Sequence, residues 1–182
     1  MQTLYQFFIH QEILQTFAMA MSLLRAAVDS GDTSMFRTLL GCEETDVEER
    51  QPDTQFTPVH KAAIHGHEQI IQLLISHKAD INSRDMTEHT PLHAASQEGH
   101  LACVLTLLKA GADPLLAADD GILPIHMAAG RKHPEVVKIL IEEGGCSPDQ
   151  VRETHCTAIT CTALQFFPYQ HDYHNHPTRP HC

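Results

Sequence analysis

Three histidines, His60, His93 and His126, stand 33 residues apart, each third after a Thr or Leu and second after a Pro. A lone histidine with such neighbours could serve as a general base, since its ordinary pKa lies near neutrality. Repetition argues against that role, because chemistry needs one site and not three identical ones. His67, His100 and His133 recur in the same way. His65 and His89 do not, which leaves them free to serve binding. A second candidate is the tail, where Cys156, Cys161, His171, His174, His176, His181 and Cys182 offer the ligand types that zinc takes. Its Cys-x4-Cys spacing is irregular, and Pro168, Pro177 and Pro180 suit a loose chain, so accidental composition is the better reading. Asp119-Asp120-Gly121 lacks the second acidic set of a calcium loop and reads as a turn. No glycine-rich phosphate loop, nucleophile elbow or paired-carboxylate cleft appears. The expectation is a protein that is not an enzyme and holds no metal or cofactor.

The elements that carry these histidines follow from the same period. The stretches "TPVHKAAIHGH" from Thr57, "TPLHAASQEGH" from Thr90 and "LPIHMAAGRKH" from Leu123 lie in one 33-residue register, and an interval of this size marks a repeat architecture. Proline suits a first helical turn, where its missing N–H would be unpaired anyway. Thr57 and Thr90 precede it as N-caps; Leu123 cannot cap and deprives His126 of a threonine partner. Paired alanines (Ala62 and Ala63, Ala94 and Ala95, Ala128 and Ala129) then let neighbouring units approach closely. Gly66 and Gly99 end this helix, where the chain must pass through a left-handed conformation. A second, more apolar helix follows: "IIQLLI" from Ile70, "VLTLLK" from Val104, "VVKILI" from Val136. A polar finger, "RDMTEHT" or "ADDGILP", leads to the next unit.

These tetrads, paired alanines, Gly-His pairs and the Ala79-Asp80 and Ala112-Asp113 pairs resemble the signature of ankyrin repeats over roughly residues 22–148. The resemblance implies an all-α solenoid of stacked helix-turn-helix units with β-turn fingers. It also implies that the tetrad histidines hydrogen-bond within and between units. The organisation expected is an amphipathic segment at 1–21, with Leu4, Phe7, Phe8, Ile13, Leu14, Phe17 and Met21 at helical spacing. Residues 22–50 form an N-terminal capping repeat and acidic connector ("EETDVEERQPD" begins at Glu43), and 51–153 form three repeats. Residues 154–182 are a divergent tail in which "TAITCTA" imitates a failing fourth unit, with Thr157 to Phe167 covering the last repeat as an irregular helix.

Charge and composition bound the partners. Twelve Lys and Arg against 23 Asp and Glu give a formal charge of −11, and no cationic cluster suited to releasing phosphate counterions appears. Nucleic acid and anionic membrane are therefore not expected partners. The first residues lack the cationic start of a signal peptide, and they are too polar to span a bilayer. Six scattered cysteines do not make a disulfide framework, and Cys42, Cys103 and Cys146 read as reduced filler thiols of a cytoplasmic or nuclear protein.

Function is expected to be non-covalent binding of another protein on a concave face of fingers and first helices, its acidity favouring a basic segment. Carried over from the resemblance, the contact positions are Asp53, Thr54, Phe56, Ile64 and His65 in the first full unit. The second unit supplies Met86, Thr87, His89, Gln97 and Glu98, and the third Asp119, Asp120, Ile122, Gly130 and Arg131. The alternative is a fragment of a larger ankyrin-bearing protein, such as a channel, kinase or ubiquitin-ligase adaptor, whose effector part lies elsewhere.

Overall fold

The computed structural model describes residues 19–41 and 46–147. The expected segment at 1–21 lies outside them except for its last three residues. The tail from 154, with the stretch from Thr157 to Phe167 and the candidate zinc ligands, lies wholly outside. Residues 19–30 are helical (α1). Then come α2 (Thr33–Leu40), α3 (Pro58–His65), α4 (Glu68–Ser76), α5 (Pro91–Glu98), α6 (Leu101–Lys109), α7 (Pro124–Gly130) and α8 (Pro134–Glu142). Among the described residues there is no strand. Consecutive helices pair within a unit, α3 with α4, α5 with α6 and α7 with α8. Helices of one kind stack between units: α3 on α5 on α7, and α2 on α4 on α6 on α8. The result is a two-layer solenoid in which each unit touches only its neighbours.

Short apolar columns run through the stack in register. Val59, Leu92 and Ile125 form one; Ile71, Val104 and Val137 another; Leu74, Leu107 and Leu140 a third, all buried. Cys103 fills the place that Ile70 and Val136 take in the units on either side, and it is a free thiol. Burial pushes the Cys103 and Cys146 thiols up to about 11, so both stay protonated at neutral pH. The small-residue pair needs one correction. In register with Ala62-Ala63 and Ala128-Ala129, the buried pair of the middle unit is Ala95-Ser96, whereas Ala94 is only half-buried and aligns with Lys61 and Met127. Letter identity suggested the Ala94-Ala95 pair; helical phase decides otherwise.

The first interval differs from the others. Gly31 and Gly66 are equivalent but 35 residues apart, because the connector before the first full unit is longer. Side chains tie that connector to the units on both sides of it: Glu48 accepts from the Asp80 N–H at 2.6 Å, and Arg25 pairs with Glu49. Glu48 and Glu49 are half-buried, since each reaches a partner on a neighbouring segment rather than only water.

Candidate functional site

Two sets of side chains line the junctions between units, one buried and one exposed. In the buried set, His60 and His93 bridge three groups each. The Thr57 N–H donates to His60 Nδ1 at 3.3 Å and the Thr90 N–H to His93 Nδ1 at 3.1 Å. Threonine hydroxyls also reach those nitrogens, at 2.9 and 3.0 Å. The opposite nitrogen, Nε2, meets the next unit's backbone carbonyl: His89 O at 3.1 Å for His60 and Ile122 O at 3.0 Å for His93. A carbonyl can only accept and an amide N–H can only donate, so each ring carries its proton on Nε2. Desolvation by burial, only partly offset by the bond to that carbonyl, holds the His60 and His93 pKa values below the ordinary 6.5, His93 at about 4. These rings are neutral clamps between a helix N-terminus and the following finger. In the third unit His126 Nδ1 still accepts the Leu123 N–H, at 2.9 Å. The capping contribution comes from the histidine and survives loss of the threonine.

The second histidine row has a different partner. His67 Nε2 donates to Asp29 O at 3.4 Å, His100 Nε2 to Ile64 O at 3.0 Å and His133 Nε2 to Gln97 O at 3.0 Å. Each carbonyl lies two residues before Gly31, Gly66 or Gly99, whose φ angles are +73°, +75° and +76°. A Cβ at Gly66 would stand 2.8 Å from the His100 ring, and at Gly99 2.4 Å from that of His133. The glycine thus serves twice: it adopts the left-handed turn, and it makes room for the next unit's imidazole. Lys132 takes this place in the third unit with φ +62°.

The exposed set is carried by the fingers. Each finger closes on itself: Asp85 N–H to His89 O at 3.0 Å, Ala118 N–H to Ile122 O at 2.9 Å, and Gln51 N–H to Phe56 O at 3.0 Å. The first closes one residue early because the aligned position is Pro52, which has no N–H. Gln55, Glu88 and Gly121 occupy one aligned left-handed position at the bend. Neighbouring fingers are laced together. Met86 N–H donates to Thr54 O at 3.2 Å and Asp119 N–H to Thr87 O at 3.3 Å. Arg50 reaches Arg84 O at 2.7 Å, and Arg84 reaches Ala117 O at 3.3 Å.

None of the expected contact residues is buried. Asp53, His65, Met86, Thr87, Glu98, Asp119, Asp120, Gly130 and Arg131 are exposed, and Thr54, Phe56, Ile64, His89, Gln97 and Ile122 are half-buried. Met86 is 62 % exposed, second only to Met19 at 68 % among the large apolar side chains of the described residues. His89 is more engaged than its irregular position suggests. Its Nδ1 meets the Thr87 hydroxyl at 2.5 Å, Asp85 lies 3.8 Å away, and its ring meets His93 edge-on. His65 lies 3.5 Å from Asp29 and stacks on His67. Sequence reasoning missed the column Lys61, Ala94 and Met127, half-buried on the inner helices. Lys61 Nζ sits over the Phe56 ring, 5.8 Å from its centre, which ties that column to the fingers. Its signal was the four-residue step from Thr57 to Lys61 to His65 along one helix face.

Among the described residues no three His, Cys, Asp or Glu side chains converge as metal ligands, and no helix is long and apolar enough to cross a membrane. A family model described as ankyrin repeats, in three copies, matches residues 23–118, and a single ankyrin-repeat model matches 120–153. No curated protein matches the chain. With the first match alone covering more than half of its 182 residues, the chain belongs to the ankyrin-repeat family.

Proposed function

We propose that this protein is a non-catalytic adaptor that holds another protein on the face made by its fingers and inner helices, in part through a basic segment. Ankyrin repeats are generally protein–protein interaction modules and are typically non-catalytic. The observation that carries the reading is a division of labour. The tetrad histidines are buried as clamps, while the non-recurring residues of the same units are exposed or half-buried. The open set combines Met, Ile and Phe with Asp, Glu and Arg, the mixture of apolar centre and polar rim that partner surfaces use.

Capture of partners by the full chain, compared with the same chain carrying Met86→Ala, Gln97→Ala or Arg131→Ala, tests the proposal. The variants should melt as the parent does, within about 0.5 kcal/mol, as ordinary surface changes do. A protein retained by the parent and lost from these variants supports the face. Variants that retain it in full would move the site elsewhere.

A further inference from the structure

The finger tips form one aligned row: Asp53, Met86 and Asp119, each 33 residues from the next and each exposed. The carboxylates of Asp53 and Asp119 make no hydrogen bond or ion pair among the described residues. Met86 between them leaves 62 % of its surface in water. The spacing of the row is fixed rather than variable, because the Met86 and Asp119 amides donate to carbonyls of the preceding fingers and the arginine bridges repeat that tie.

Packed helices stand roughly 9 Å apart, so one unit corresponds to about three residues of polyproline II chain at roughly 3.1 Å each, and its three residues per turn bring side chains three apart onto one side. Two unpaired carboxylates flanking an exposed apolar side chain complement two cations flanking an apolar group. We infer that the finger row takes a segment of another protein in polyproline II conformation, in which a large apolar residue is flanked by Lys or Arg about three positions to either side. The apolar residue covers Met86, and the two cations reach Asp53 and Asp119. This rests on the face assignment above and adds the partner's sequence spacing to it.

Two labelled peptides of identical composition test the spacing by fluorescence polarisation against the full chain. In one, lysines lie about three positions either side of a central leucine; in the other, they are adjacent to it. The first should bind at least about fivefold more tightly, because only it satisfies both carboxylates and the apolar contact together. Asp53→Asn, Asp119→Asn and Met86→Ala should each weaken the first peptide by about threefold or more. They should bring it towards the second peptide, with the melting temperature unchanged. Equal binding of the two peptides, no binding of either, or indifference to the three substitutions would overturn the spacing rule. Failure of the face assignment shows separately, as full partner capture by the Met86, Gln97 and Arg131 variants.

Discussion

The middle and last full units use the same scaffold with different parts, and the differences separate what the stack requires from what it only prefers. At the N-terminus of the inner helix, Thr90 in one becomes Leu123 in the other, yet the histidine ring nitrogen accepts the preceding amide in both. At the end of that helix, Gly99 becomes Lys132, and the left-handed backbone persists at φ +76° and +62°. What changes is the space. Gly99 lies under the His133 ring, whereas Lys132 carries a Cβ where a ring docked in the same way would have to sit. The glycine is required by the next unit's histidine more than by its own backbone.

Among single substitutions the largest effect should therefore come from Gly99→Ala. A left-handed alanine costs about 1 kcal/mol. A Cβ that stands 2.4 Å from the His133 ring must also push that ring off the Gln97 carbonyl. Together these should destabilise the stack by about 3 kcal/mol. Gly121→Ala isolates the backbone term, because Gly121 has the same φ of +76° and nothing within 4 Å of an added Cβ. Urea unfolding of both variants should show only about 1 kcal/mol for Gly121→Ala. Equal losses would mean that the collision is relieved without consequence.

Acid is expected to act on a comparable scale, through the clamps. A protonated imidazole cannot accept the Thr90 amide. The folded-state pKa of His93 is depressed from 6.5 to about 4, so between those values the unfolded chain binds a proton that the folded chain refuses. Stability from this group is complete above pH 6.5 and is lost as pH falls towards about 4. The loss from His93 is on the order of 3 kcal/mol, and His60 adds to it in the same direction. Denaturation midpoints measured from pH 7 down to 4 should fall steadily, and less steeply in His93→Asn. A flat profile in the parent would contradict the buried neutral state of these rings.

Much of this scaffold is legible in the sequence, and the reason is periodicity. Val59, Leu92 and Ile125, or Gly66 and Gly99, do the same physical work at the same step, so repetition itself reports their role. The left-handed bends at Gln55 and Glu88 left no such trace, because the residues are not glycine and only the third finger, with Gly121, shows what the position demands. The docking of His100 and His133 over glycines was also hidden, since each contact joins residues of successive units. The proposed contact face is the least periodic part. Phe56, His89 and Ile122 share one position but not one chemistry, so only alignment with the clamps locates them, and the Lys61, Ala94 and Met127 column escaped for that reason.

The threonine offers a finer comparison. Thr90→Val removes the hydroxyl that meets His93 Nδ1 at 3.0 Å and leaves the amide donor at 3.1 Å, which is the situation Leu123 already presents to His126. The expected loss is about 1 kcal/mol, that of one buried hydrogen bond whose acceptor keeps a second donor. A loss as large as that of Gly99→Ala in thermal melts would show that the third unit compensates for its leucine in some other way.

Lys132→Gly should produce the smallest change and the only gain. Lys132 holds φ +62°, which costs an ordinary side chain about 1 kcal/mol, and glycine removes that cost while gaining freedom in the unfolded chain. The two effects oppose each other, so a net stabilisation of about 0.5 kcal/mol is expected, visible as a small rise in denaturation midpoint at unchanged slope. The sign is the informative part. Gly99→Ala and Lys132→Gly reverse the same substitution class at equivalent positions, yet one should cost several times what the other returns. The excess measures the His133 ring above Gly99 and not the backbone. Should Lys132→Gly destabilise instead, the lysine stem would be making packing contacts that outweigh its strained backbone.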